Sequence, residues 1–282
     1  MDLATLIGLM AGAGLIVTAI ITEGTVGSLA EFIHQESLMI VLGGTIAATL
    51  INYPLKAVIG VFGVVKNAFT RQQSEYPEII SYFEEVSRKV YEKGLLSMED
   101  DLQSIDDHFL RNGLALAINE RNPDNLRNYL ELELNNIHRR HRQGSEIFFY
   151  MGQYSPAFGM LGTIIGLIIM MKTQISLPDS QGALSMATNF NLQQQFTNLL
   201  NGMGLALITT FWGVLLANLV FLPLGGKLQR RSEDELMMKE IMIEGIMCLH
   251  AKDHPLVVKD KLQTFIPQRE RELLEHSSSG NR

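Results

Sequence analysis

The sequence predicts an all-α polytopic membrane protein with four transmembrane helices and a helical cytoplasmic domain. Three observations predict it. Four apolar stretches, Leu3–Ile21, Leu38–Val65, Ile147–Met171 and Leu199–Leu224, come close to or exceed the length a helix needs to cross hydrocarbon, about 20 residues. Charged residues lie almost wholly between these stretches, although the hydrophobic share of 46% is ordinary for a globular chain. The segments between them carry helical periodicity and no strand alternation.

The first span, Leu3–Ile21, begins too early and runs too long for a cleavable signal, and no basic region precedes it. Leu38–Ile51 is short alone, but Asn52-Tyr53-Pro54-Leu55-Lys56 leads into a further apolar run, Ala57–Val65. The expectation is one span with Lys56 snorkelling at its end. Spans three and four carry no Asp, Glu, Lys or Arg at all. A charge at mid-helix costs about 2.5–3.5 kcal/mol on the insertion scale, so charge-free interiors fit lipid.

Orientation follows from Lys and Arg. The link Thr22–Ser37 has Glu23, Glu31 and Glu36 but neither Lys nor Arg, and the link Thr173–Asn198 has only Asp179. Lys66, Arg71, Arg139, Arg140, Arg142, Lys227, Arg230 and Arg231 lie in the middle segment and the tail. The positive-inside rule puts those regions, and with four spans both termini, in the cytoplasm. The expected divisions are spans one and two in 1–65, a cytoplasmic helical domain in 66–146, spans three and four in 147–225, and cytoplasmic C-terminal helices with a disordered tail in 226–282.

Within 66–146, Ile79, Ile80, Phe83, Val86 and Val90 recur at helical spacing among Glu84, Glu85, Arg88 and Lys89. Gly94 ends that pattern. Ser97 with Asp100 or Asp101 is the expected cap of a next helix carrying Leu102 and Ile105. Asn122-Pro123-Asp124 predicts a turn and a helix start, with proline at an early position. After span four, Ser232–His250 reads as an amphipathic helix, His254-Pro255 as a turn before Leu256–Phe265, and His276–Arg282 as a polar disordered tail.

Several chemistries are excluded or weak. A net charge of −7 argues against general nucleic-acid binding. The single Cys248 allows no internal disulfide and no cysteine cage. Gly43-Gly44-Thr45 and Gly225-Gly226-Lys227-Leu228 lack the spacing of a phosphate-binding loop. Gly8-x-x-x-Gly12 and Gly162-x-x-x-Gly166 fit close helix packing. His138 and His141 share a helix face, but Arg139, Arg140 and Arg142 beside them repel a metal cation, and the basic cluster reads as a membrane-surface anchor. Trp212 reads as a packing or lipid-facing residue. No activated nucleophile is visible, so no catalytic residue, metal site or cofactor is expected, and the chain is not read as an enzyme.

The hydroxyls of spans three and four are the candidate chemistry. Thr163 lies nine residues from Lys172, and Thr209 and Thr210 lie ten and eleven from Leu199. At 1.5 Å per residue all three sit roughly 14–16 Å deep. Hydroxyls can also bond back to their own helix, as is common in membrane spans. Three at one level predict a layer that coordinates a partly dehydrated hard cation, with the ionisable group supplied by another chain. Pro156 and Pro223 each remove a backbone donor and are the candidate hinges.

Met1-Asp2-Leu3-Ala4-Thr5-Leu6-Ile7-Gly8, Ile40-Val41-Leu42-Gly43-Gly44-Thr45, Pro156-Ala157-Phe158-Gly159-Met160-Leu161-Gly162-Thr163, Leu207-Ile208-Thr209-Thr210-Phe211-Trp212-Gly213, and Val220-Phe221-Leu222-Pro223 followed by Lys227-Leu228 resemble the A subunit of the bacterial flagellar stator, the MotA/PomA family. The resemblance covers nearly the whole chain. It implies five A subunits in the inner (cytoplasmic) membrane around two B subunits of the MotB/PomB kind, whose single span supplies the ion-binding aspartate. It implies Na+ or H+ as the transported ion and the rotor protein FliG as the cytoplasmic partner. Threonines at the positions of Thr163, Thr209 and Thr210 shape the ion site in sodium-driven members, which favours sodium here. Arg88, Lys89, Lys93, Glu99 and Asp100 become the rotor-contact candidates. Glu99 fits the family's acid, whereas the family's basic position falls on Tyr91 or Glu92, with Arg88, Lys89 and Lys93 nearby. The link Thr173–Asn198, with its Gln193-Gln194-Gln195 run, is longer than the family's usual one. The competing readings are an ExbB/TolQ-like energising channel subunit, which typically has three spans, and a non-conducting membrane scaffold.

Overall fold

The computed structural model describes residues 3–23, 32–68, 76–175, 192–266 and 271. The described residues contain no β-strand. The middle of the Thr173–Asn198 link, 176–191, and the predicted tail, His276–Arg282, lie outside them. The chain divides into two compact units, one formed by 1–71 and 143–228, the other by 72–142 and 229–282.

In the first unit, α1 is Leu3–Glu23. Next come α2 (Gln35–Leu38), a π-helical stretch Met39–Gly43 and α3 (Gly44–Asn52), which follow one another without a break. Tyr53 is then extended, with φ −129° and ψ 146°, and α4 begins at Leu55 and ends at Ala68. The expected single span Leu38–Val65 is therefore two helices. Pro54 is the cause: its ring forbids the helical region to the residue before it and supplies no donor to the turn behind. Residues 35–52 alone give about 27 Å of helix.

α7 (Pro123–Ile175) and α9 (Leu222–Ala251) contribute residues to both units. α8 (Leu192–Leu215) belongs to the first, and a second π-helical stretch, Leu216–Phe221, joins it to α9. The Gln193-Gln194-Gln195 run forms the first turn of α8. Pro223 sits just inside the start of α9, and the helix expected to begin at Ser232 is one continuous element from Leu222. Inside this unit Val61, Ile147, Phe148, Met151, Phe221 and Leu228 form a buried cluster that Leu42, Leu216 and Val220 flank. Lys227 donates to the Thr5 hydroxyl at the start of α1.

Two helical runs, Pro123–Lys172 and Gly202–Ala251, are long and apolar enough to cross a membrane. Only 22% and 28% of their most apolar windows is buried against the rest of the chain. Such large uncovered apolar faces need lipid or another subunit. α1 is equally bare, with Met10 65% and Leu15 71% exposed.

The second unit has a conventional core. α5 (Tyr76–Lys93) buries Ile80, Phe83 and Val90 and turns Ser81, Glu85 and Arg88 outward. Gly94, at φ +82°, ends it in a conformation that a side chain would strain. The expected helix through Leu102 and Ile105 is two short 3₁₀ turns, Leu95–Met98 and Asp100–Ser104. The next α-helix, α6 (His108–Asn119), is capped by Asp107, which accepts from the Leu110 amide at 2.8 Å. Ser97 instead donates to the Gly94 carbonyl at 2.7 Å. The start of α7 matches expectation: Pro123 occupies its first turn and Asn122 accepts from the Asp124 amide at 2.9 Å. α10 (Pro255–Gln263) is capped by His254. Phe83, Met98, Leu114, Leu126, Leu130, Ile241, Ile246, Leu249 and Leu262 are all less than 2% exposed. At about 1.5–3 kcal/mol per fully buried large side chain, this core outweighs the ion pairs around it.

Candidate functional site

α7 and α8 meet along small residues. A methyl at Gly166 would stand 2.9 Å from the Gly202 carbonyl oxygen, one at Gly162 would stand 2.6 Å from the Thr209 Cβ, and one at Gly213 would stand 2.8 Å from the Ser155 carbonyl oxygen. Numbers rise along α7 as they fall along α8, so the helices are antiparallel with their backbones in contact. Ser155, fully buried, donates to the Gly213 carbonyl at 3.0 Å across this seam.

The three threonines fall on one level of the seam, in two settings. Thr209 is fully buried against Gly162, and its hydroxyl donates to the Ala206 carbonyl at 2.8 Å. Thr163 donates to the Met160 carbonyl at 2.6 Å and Thr210 to the Ala206 carbonyl at 3.4 Å, and both are partly exposed. Each hydroxyl proton therefore goes back to its own helix. The oxygens of the two partly exposed groups, Thr163 and Thr210, can therefore act as acceptors.

The seam also fixes direction. Gly162 faces Thr209, and one residue turns a helix by 100°. Because the helices are antiparallel, one step from Gly162 to Thr163 and one step from Thr209 to Thr210 turn to the same side. By the same rotation Pro156 lies on that side, and the Cα of Thr210 lies 3.3 Å from a methyl placed at Gly159. The opposite side is covered. There Trp212 donates its indole N–H to the Phe32 carbonyl at 2.7 Å, Phe211 meets Phe32 edge-on at 5.2 Å, and Phe158 packs on Gly44. Trp212 is thus a hydrogen-bonded anchor for the segment entering the second span, which its sequence context alone did not reveal. The result is a two-helix wall with one face against its own chain and one face, bearing two neutral oxygens, that the described residues leave open.

In the second unit the charged candidates divide. Arg88 pairs with Glu84 at 2.7 Å, and Lys259 reaches Glu84 at 3.1 Å. Arg88 also lines a groove of about 320 Å³ with Tyr91, Glu92, His254 and Leu256. Lys89 turns away to pair with Asp101. Lys93, Glu99 and Asp100 are exposed. Burial alone would raise the Glu84 carboxyl, but hydrogen bonds from Lys259 and Arg88 outweigh it and hold the group below its ordinary value. Burial pushes the Cys248 thiol up to about 11, so it stays protonated at neutral pH. His141 lies 3.9 Å from Glu235, a carboxylate neighbour the sequence spacing did not indicate.

The MotA/TolQ/ExbB proton channel family matches residues 101–241. Motility protein A of Treponema pallidum is 32% identical over 98% of this chain and 98% of its own. Chemotaxis protein PomA of Vibrio alginolyticus is 28% identical over 97% of this chain and 98% of its own. Among solved structures, the flagellar MotAB stator complex from Bacillus subtilis has a chain that superposes with a TM-score of 0.79 at 27% identity, covering 94% of this chain and 96% of that one. These matches define the class, a subunit of a membrane channel family and not an enzyme. The chain belongs to the MotA/TolQ/ExbB proton channel family, on its MotA/PomA stator branch.

Proposed function

We propose that this chain is the A subunit of a flagellar stator that turns cation flow into torque, with sodium as the driving ion. The observation that carries the reading is the free face of the α7–α8 wall, where Thr163 and Thr210 offer neutral oxygens and no carboxylate lies in either span. A cation crossing there needs a counter-charge, because dehydrating it against neutral oxygens alone is costly. A B-type partner helix carrying an aspartate completes the site, and the free face is where it sits. Five copies would present five such walls around two partner helices. In this reading four spans cross the inner membrane with both termini in the cytoplasm, and Arg88, Lys93, Glu99 and Asp100 meet FliG through contacts each worth about 0–1 kcal/mol. Lys89, held by Asp101, contributes less.

The relatives called motility protein A match from end to end, which supports the stator reading over an ExbB/TolQ-like subunit. The sodium preference rests on the hydroxyls of Thr163, Thr209 and Thr210. Co-expression with a B-type partner in a stator-deleted bacterium tests both. Swimming speed should rise with sodium at constant proton gradient, and Thr210→Ala should raise the sodium concentration for half-maximal speed about tenfold, the worth of one lost charge-assisted contact. Speed independent of sodium would reject the ion assignment, and unchanged behaviour of Thr210→Ala would reject the threonine layer.

A further inference from the structure

We infer that Ser155 is a positioning residue for the ion path: its hydroxyl fixes the axial register of α8 against α7 and so the placement of Thr210 relative to Thr163. The inference rests on the proposed ion-path reading of those threonines.

A seam of glycine, alanine and a threonine methyl brings backbones close but fixes their relative height weakly, since dispersion contacts re-form after a small slide. A directional bond fixes it. Ser155 supplies one from a fully buried side chain, donating to the Gly213 carbonyl at 3.0 Å. Its position is telling at both ends. On α7 it immediately precedes Pro156, whose missing N–H leaves the Gly152 carbonyl without its usual partner and lets the helix bend. On α8 the acceptor, Gly213, lies three residues before the π-helical stretch Leu216–Phe221, where the hydrogen-bond register changes. The bond thus ties the two irregular points of the wall to one another. Thr210 is one helical turn from Gly213, and Thr163 is about 12 Å along α7 from Ser155. Without the bond, the wall keeps its packing but loses the feature that holds both oxygens at one height.

The test uses the full chain with a B-type partner in a stator-deleted motile host. Membrane abundance and co-purification of the partner report assembly. Swimming speed against sodium at fixed pH, and against pH at fixed sodium, reports the site. Ser155→Ala should assemble normally and raise the half-saturating concentration of the driving cation about fivefold, the worth of one neutral hydrogen bond, whereas Ser155→Thr, which keeps the donor, should stay within about twofold of wild type. Thr210→Ala is measured alongside. If Thr210→Ala shifts the cation dependence and Ser155→Ala does not, the positioning role is wrong while the ion-path reading stands. If neither shifts it, both fall. Should Ser155→Ala fail to accumulate, Ser155→Cys, a weaker donor of near-equal size, takes its place in the comparison. Equal loss of assembly in the alanine, cysteine and threonine variants would reduce Ser155 to packing and overturn the inference.

Discussion

Thr209 and Thr210 are adjacent in sequence and differ in everything that decides their use. Thr209 closes the seam on Gly162, and Thr210 turns to the free face. Gly162→Val would force a branched side chain into a space 2.6 Å from the Thr209 Cβ. Overpacking of this kind costs about 1–3 kcal/mol. The protein should therefore fall in membrane abundance, whereas Gly14→Ala, which meets nothing within 4 Å among the described residues, should not. Quantitative blots of the two variants decide it. In the second unit Glu84 gives a pH dependence. Its folded pKa lies below the ordinary 4.5, so the unfolded chain binds its proton more readily. Its stabilisation is complete above that ordinary value and is lost as pH falls through the depressed one. Glu84→Gln should cost about 1 kcal/mol at neutral pH, since its Arg88 partner is largely exposed, and the cost should vanish as the medium is acidified below the ordinary carboxylate range. Thermal melts across that range would show the two curves converging. Curves that stay parallel would remove Glu84 from the acid response.

Among the helices, Pro156 is the element-scale test. Restoring an N–H through Pro156→Ala gives the Gly152 carbonyl its partner and straightens α7 beside the seam. Assembly with the B-type partner should persist while motor speed falls. Loss of assembly would instead make Pro156 a fixed packing feature. The same elements show what sequence can and cannot reveal. Pro123 and Pro255 start helices where the sequence placed them, because an early proline followed by a helical apolar series is a local signal. Pro54 carried an equally local signal, but apolar residues continue on both sides of it, and hydropathy hid the break. The helix expected to carry Leu102 and Ile105, capped by Ser97 with Asp100 or Asp101, is instead two 3₁₀ turns, and the next α-helix starts at the Asp107 cap, whose carboxylate accepts from the Leu110 amide. The two π-helical stretches leave no compositional trace, since they alter hydrogen-bond register and not residue type. That Thr163 and Thr210 turn to one side of the seam while Thr209 closes it was not legible in the sequence, because it depends on which residues of two helices face one another.

At the scale of the whole molecule, the proposed function makes this chain a wall without its counter-charge. Purified alone into liposomes it should pass sodium at background rates, and co-reconstitution with the B-type partner should raise the flux at least tenfold, as reported by a trapped sodium dye. Equal flux with and without the partner would mean that the neutral face conducts unaided. The break at Tyr53 has a consequence of its own. The helical run 35–52 ahead of it is about 27 Å long, slightly less than an average hydrocarbon layer of about 30 Å. If that run is the proposed second span, a bilayer rich in long acyl chains must thin around this protein or tilt its neighbours to meet it. Lipid chain length therefore becomes a load on the assembly, and the fatty-acid composition of the host membrane a quantity to which its output is mechanically coupled.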